Sequence, residues 1–414
     1  MMVSSIGPSA VAAIGLTTQP KFIAMSFFFA INVSVSALVA RRMGEENKEK
    51  ANQTLVTAMI ISLLICIFIS TIMVIFSPQI LHLAGSAKDT HQMGVDYLRI
   101  IMAGLIFNVI SMAINAGQRG SGNTRIAFTT NVVSSIINIS FNFLLINGNL
   151  GFPKLGVRGA ALATVIGTVV ASIMSIQSLF RRNSYMSYKL IRKKSLSFSK
   201  NIVKEIKNLG VNIFIENISA RIGFLVTAVT AARLGTAQFA AHNVGMNLLS
   251  LSFSFGDGMQ VAAVALTGNA LGAGKKDIAK KYGKTCQEIG LVISIITSAL
   301  LVIFRKQIFR VFFDDPDIIE MGSIITFYLT FIVVFQISQV IFGGCLRAAG
   351  DVKYTLAVSI VAIAIIRSSS TLFFVNVLGL GLQGIWMGIL ADQLSRFISL
   401  WYRFRQGKWV DLKI

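Results

Sequence analysis

The sequence predicts an all-α integral membrane protein made of two similar helical bundles. Three observations carry this reading. First, 54% of the 414 residues are apolar and only 13% are charged, whereas a soluble domain carries about a quarter charged residues. Second, the apolar runs are long and do not alternate, so helices rather than a closed barrel satisfy the backbone in lipid. Third, the chain repeats itself 228 residues on. Gly7-Pro-Ser-Ala-Val-Ala-Ala13 aligns with Gly235-Thr-Ala-Gln-Phe-Ala-Ala241, Met43-Gly44 with Leu271-Gly272, and Gln118 through Arg125 with Leu346 through Lys353. Three residues then slip out before Leu155-Gly-Val-Arg-Gly159 meets Leu380-Gly-Leu-Gln-Gly384. Duplicated bundles in one membrane chain are a common plan for transporters, with the substrate between the halves.

Eleven apolar segments can be placed in order: near 8–40, 52–76, 95–116, 126–147, 158–180, 206–233, 237–270, 285–304, 321–345, 354–376 and 382–402. Several exceed the roughly 20 residues needed to cross a bilayer, so they tilt, kink or extend beyond it. The segments divide into an N-terminal lobe over 1–181, a basic linker over 182–201 and a C-terminal lobe over 202–414. The offset leaves the 206–233 helix with a counterpart upstream of residue 6. About eleven spans of an expected twelve are therefore predicted, with the first helix of the first lobe cut short, as by a late start codon or a truncated gene.

Charge orients the chain. Of 38 Lys and Arg, 26 lie in 41–50, 118–125, 181–207, 272–284, 347–353 and 403–413, while the alternating connections hold eight. This is the positive-inside pattern. It predicts a multi-pass protein of the cell inner membrane with a cytoplasmic C-terminus, and it explains the net charge of +21 without nucleic acid. The stretch from Arg181 to Lys207 is read either as a topology determinant or as an attractor of anionic lipid. Cys66, Cys286 and Cys345 lie far apart and suggest neither a disulfide framework nor a metal site. The Gly-rich turns at 117–122 and 344–350 lack the strand and the Gly-Lys-Ser/Thr ending of a phosphate loop. Energy would then come from an ion gradient or a partner subunit, and no cofactor is expected beyond H⁺ or Na⁺ as coupling ion.

Ionisable groups within membrane helices are functional candidates by default. Glu216 sits among Ile213, Phe214, Ile215 and Ile218, where the charged form is costly unless paired, which suits a group that takes up and releases protons. A structural ion pair with Arg221 is the competing reading, although i,i+5 spacing turns the two about 140° apart. Asp257, in Phe255-Gly-Asp-Gly258, could sit in an unwound turn that holds Na⁺ or simply at a solvated break. Gln260, its repeat partner Asn32, and the amides Asn138, Asn142, Gln336 and Gln339 are candidates for a substrate cavity, or equally for helix packing. Asp392 and Arg396 are expected to pair at i,i+4. His242 reads as a cap or bridge, and Arg367 has no sequence-level explanation.

Several stretches resemble the multidrug and toxic compound extrusion (MATE) transporters. They are Gly7 through Gly15, Ala37-Leu-Val-Ala-Arg-Arg-Met-Gly44, Gly235 through His242, Leu271-Gly-Ala-Gly274, Cys345 through Asp351, and Arg403-Phe-Arg-Gln-Gly-Lys-Trp409. The resemblance spans nearly the whole chain. It implies two six-helix lobes related by a pseudo-twofold along the membrane normal around a V-shaped cavity. It further implies export of small organic, often cationic and amphipathic compounds against inward H⁺ or Na⁺, by a monomer that is not an enzyme. In many relatives an aspartate lies just before the segment matching Met2-Val3-Ser4, upstream of Met1 here, and some carry a second where this chain has Asn142. Glu216 looks like the glutamate early in the seventh helix of bacterial members, although others carry that acid near Ser219 or Ala220. Alternatives are a lipid-linked precursor flippase, a membrane-embedded acyltransferase-like enzyme, and an inactive truncated transporter.

Overall fold

The structure, a computed structural model, describes residue 3 and residues 6–181 and 184–412. The remnant of the first helix in part (Met1, Met2, Ser4 and Ser5), and Arg182 and Asn183 of the linker, lie outside the described residues. Among those described, helices and turns account for the fold and no strand occurs. The helices are α1 (Pro8–Gly44), α2 (Lys48–Ile75), α3 (Ser77–Leu83), α4 (Lys88–Ala103), α5 (Leu105–Gly120), α6 (Thr124–Asn147), α7 (Gly156–Leu179), α8 (Tyr188–Lys193), α9 (Lys200–Arg233), α10 (Thr236–Gly272), α11 (Lys276–Ile303), α12 (Arg305–Arg310), α13 (Pro316–Ala348), α14 (Val352–Ser359), α15 (Ser368–Leu372) and α16 (Gly381–Gln406). Wider π-helical turns, Ile360–Arg367 and Phe373–Val377, follow α14 and α15 and make 352–377 one segment.

Two compact units emerge, Met1–Gly210 and Val211–Ile414, divided inside α9. The repeat is written into the backbone residue by residue. α1 and α10 both start and both end 228 residues apart, as do α2 and α11. Gly122 and Gly350, a repeat pair, both take the left-handed conformation (φ 79° and 91°) that turns the chain after α5 and α13. Even a side-chain hydrogen bond recurs. Ser70 Oγ donates to the Met102 carbonyl at 2.6 Å, and Ser298 Oγ donates to the Thr330 carbonyl at 2.7 Å.

Where the copies differ, the residue explains it. Gly104 breaks the predicted 95–116 span into α4 and α5, bent by 45°. A Cβ at Gly104 would lie 2.5 Å from Val165, so glycine lets that corner meet α7. The counterpart of Gly104 is Ile332, fully buried in the unbroken α13.

Nine described segments are long and apolar enough to cross a membrane, or ten with the bent pair counted as one. Eleven were expected. The remaining one, α16, is 26 residues long but carries Asp392, Arg396, Arg403 and Arg405, which lower its hydropathy. Leu64, Ile67 and Phe68 of α2 stand exposed, as do Val292, Ile295 and Ile296 at the repeated positions of α11. Each trio forms the apolar stripe a membrane helix turns to lipid. The opposite faces carry small buried residues, Ala51 and Cys66 in α2, Ala279 and Ser294 in α11, which permit close helix packing.

From Ser184 on, the described part of the linker is a strap tied to α2 by hydrogen bonds. Asn52, buried in α2, donates to the Tyr185 carbonyl at 3.0 Å and accepts from the Ser187 amide at 2.8 Å. Ser199 N–H donates to Thr57 Oγ1 at 3.2 Å, and Lys194 pairs with Glu49 at 2.9 Å. Beyond it, Glu205 at the start of α9 pairs with the buried Arg42.

Candidate functional site

Glu216 lies at the middle of α9, and it forms an ion pair with Arg347 of α13. Arg347, next to last in α13, donates through Nη2 to Glu216 Oε1 at 2.6 Å. Ser359, where α14 meets the first π-helical turn, donates to the same oxygen at 2.8 Å. The other oxygen, Oε2, is buried and meets no hydrogen-bond donor among the described residues. Glu216 and Arg347 are each about 15% exposed at the side chain (14% and 15%). Such a pair is stable in a low-dielectric setting only while both members stay charged and bonded.

The network extends to the second acid. With the Gln260 amide turned as its neighbours require, its oxygen accepts from Arg347 Nη1 at 2.5 Å and its nitrogen donates to Asp257 Oδ1 at 3.3 Å. Asp257 and Gln260, at i,i+3, share a face of α10. Three of the candidates read from different parts of the sequence, Glu216, Gln260 and Asp257, are thus joined into one chain through Arg347. The expected unwound turn at Phe255–Gly258 is absent, and α10 runs through it unbroken. Gly256 faces α13, where a Cβ would reach contact distance of Ile337 Cα at 3.4 Å. Similarly, Gly344 lets α13 approach Gln260, whose Cγ would lie 2.9 Å from an added Cβ.

A second charged cluster lies in the same unit. Asp392 is fully buried, with Arg396 Nε 2.9 Å from Oδ1 and Arg367 Nε 3.3 Å from Oδ2. Arg367, 1% exposed, ends the first π-helical turn and stacks over the Phe224 ring at 4.7 Å. Among the described residues none of its N–H groups meets an acceptor in hydrogen-bonding geometry; the guanidinium is held by charge and by the ring. A π-turn re-aims side chains relative to an α-helix, which is why periodicity alone left Arg367 unexplained. His242 packs at 5.7 Å against Trp386, a fully buried side chain.

Asn142 Nδ2 donates to Asn138 Oδ1 at 3.0 Å, and Asn138 Nδ2 donates to Thr164 Oγ1 at 3.1 Å, which knits α6 to α7. Asn32 is buried in α1, and Gln336 and Gln339 are buried in α13. Arg347 and Ser359 were not singled out by the sequence. Arg347 sits in a basic stretch that reads as a topology signal, and its repeat partner Arg119 in the first unit was the one available hint.

The comparisons with known proteins agree with this architecture. The MatE family profile matches residues 1–144 and 213–371. The chain is 26% identical over 407 residues to the probable multidrug resistance protein NorM of Thermotoga maritima, covering 97% of this chain and 85% of that protein. It is 24% identical over 411 residues to the uncharacterized transporter YisQ of Bacillus subtilis, covering 99% and 90%. Among solved structures, a MATE protein in complex with MaD3S superposes with a TM-score of 0.90 at 24% identity, covering 98% of this chain and 90% of that one. A MOP superfamily transporter from Pyrococcus furiosus superposes with a TM-score of 0.90 at 23% identity, covering 100% and 91%. With a family match over most of its length, the chain is a multi-pass membrane protein that belongs to the MatE family of transporters.

Proposed function

We propose that this protein is a secondary antiporter that exports small organic, cationic and amphipathic compounds in exchange for H⁺ or Na⁺. The observation that carries the reading is the Glu216–Arg347–Gln260–Asp257 network. Over the four named residues, two ionised carboxylates share one guanidinium, a sum of −1 that attracts a cation into an apolar setting. A proton or Na⁺ at Glu216 brings the sum to zero and removes that attraction. The buried, unbonded Glu216 Oε2 is the natural point of entry for the coupling ion. Arg347 touches Glu216 directly and Asp257 through Gln260, so charging one acid alters the field at the other, which is the physical content of coupling.

Transport by alternating access, with the two lobes rocking about a cavity whose candidate lining includes Asn32, Gln260, Gln336 and Gln339, fits this chemistry. The chain would lie in the cell inner membrane as a monomer with a cytoplasmic C-terminus, following its charge distribution. The relative from T. maritima bears a multidrug resistance name, which supports an organic substrate, and family membership favours a transporter over an acyltransferase-like enzyme. The flippase reading calls for free cationic side chains, whereas in the second unit Arg347 pairs with Glu216, and Arg367 and Arg396 share Asp392.

The test is export of a fluorescent organic cation from proteoliposomes under imposed proton or sodium gradients. Glu216→Gln is expected to abolish gradient-driven export and Asp257→Asn to weaken it at least tenfold. Undiminished coupled export in both variants would remove the assignment.

A further inference from the structure

The strap that precedes α9 carries a short helix with two distinct faces. In α8, Tyr188 and Ile191 are three residues apart on one face, while Lys189, Arg192 and Lys193 fall at i, i+3 and i+4 on another. Tyr188 and Ile191 help close a crevice of about 210 Å³ with wholly apolar walls. Its other side is α2, through Leu55, Val56, Met59 and Ile60. Beside the crevice, the Phe180 and Tyr188 rings pack at 4.8 Å, yet they remain 61% and 43% exposed.

Location matters as much as shape. The crevice lies where α2 begins and α7 ends, two membrane-spanning segments, so it opens at the boundary between lipid and water. Asn52 and Thr57 fix the strap there by hydrogen bonds. Close in sequence to the crevice residues Leu179, Tyr188 and Ile191, the side chains of Arg181, Lys189, Arg192 and Lys193 are exposed and form no salt bridge among the described residues; Lys194 is the basic neighbour that has an acid, Glu49.

We infer that this is a binding site for an anionic diacyl phospholipid. An acyl chain occupies the apolar crevice, the Phe180–Tyr188 pair lies at the glycerol level as interfacial aromatics do, and the basic face of α8 holds the headgroup phosphate. A topology signal needs only the charges; the hydrogen-bonded strap, the apolar crevice and the exposed aromatic pair are additional. Charge complementarity selects the occupant, because a zwitterionic lipid brings no net charge to four unpaired cations. The inference requires only that the chain spans a membrane, so it stands or falls independently of the coupling mechanism.

The experiment is native mass spectrometry of the full-length protein in detergent, titrated with phosphatidylglycerol or phosphatidylcholine, together with the lipid-induced rise in melting temperature. Wild type is expected to hold one phosphatidylglycerol through detergent exchange and to prefer it over phosphatidylcholine. The triple variant Lys189→Gln/Arg192→Gln/Lys193→Gln is expected to bind it roughly a hundredfold more weakly. A control that removes Lys275, Lys280 and Lys281 as glutamines is expected to bind like wild type. Should the triple variant not fold, Arg192→Glu alone serves, with at least a tenfold loss expected. Retained binding in the α8 variants overturns the site. So does equal loss in the control, or equal competition by soluble glycerophosphate, which would mean nonspecific charge or a free phosphate rather than a lipid.

Discussion

Arg347 Nη2 donates to Glu216 Oε1 at 2.6 Å, joining the end of α13 to the middle of α9 across 131 residues of sequence. Each of these groups is costly in an apolar helix bundle and becomes tolerable through the other. Because the pair is nearly buried, removing one member leaves the other uncompensated, a change worth about 3 kcal/mol at the lower end of the range for buried pairs. Arg347→Met is therefore expected to lower the melting temperature in detergent. The double variant Glu216→Gln/Arg347→Met is expected to regain most of that stability without regaining coupled export. A thermal denaturation series on the two variants checks this non-additivity.

Asp392 balances two guanidinium groups, one of them almost fully buried. Asp392→Asn leaves both cations without their carboxylate and is expected to cost about 3–5 kcal/mol. Adding Arg367→Met should recover a large part of that loss, because the buried charge leaves with its partner. Denaturation midpoints measured for the single and double variants decide the point; equal instability in both would speak against a charge origin.

Gly223 lets α9 rest on the π-helical turn after α14. An added Cβ would meet Ile363 Cγ2 at 2.5 Å and the Ile363 carbonyl oxygen at 2.6 Å. Backbone cannot retreat as a side chain can, so Gly223→Ala is expected to destabilise by about 1–3 kcal/mol despite the better helix propensity of alanine. A melting temperature equal to wild type would show that the contact is looser than the geometry indicates.

Asn52 holds the strap by two hydrogen bonds to backbone groups of Tyr185 and Ser187. Asn52→Ala removes both, a loss of about 1–3 kcal/mol concentrated on the strap rather than on the bundles. Limited trypsin cleavage at Lys189–Lys194 should accelerate at least fivefold while the rest of the chain resists. Uniform acceleration along the chain would instead indicate global destabilisation.

The sequence carried much of this architecture because its repeat is strict at the positions that turn the chain. Gly122 and Gly350, and the starts of α1 and α10, could be aligned before any geometry was known. Three features escaped for identifiable reasons. The bend at Gly104 answers the bulk of Val165 on a different helix, a contact no local pattern records. Gly256 and Gly258 suggested an unwound turn around Asp257, yet α10 continues through both without a break. Arg347 was hidden by composition: a lone arginine at a helix end reads as a surface charge, and only the crossing of α9 and α13 turns it toward Glu216. The acids themselves were legible, because a carboxylate in an apolar run is rare enough to stand out.

The central claim is that coupling ion and organic cation compete for the charge at Glu216. The most direct measurement is the ion released when an organic cation binds to the purified protein. It can be read by calorimetry in buffers of different ionisation enthalpy, or by a sodium-sensitive dye. The account predicts close to one H⁺ or one Na⁺ released per cation bound by wild type, and none by Glu216→Gln. Equal ion release by wild type and Glu216→Gln would contradict it.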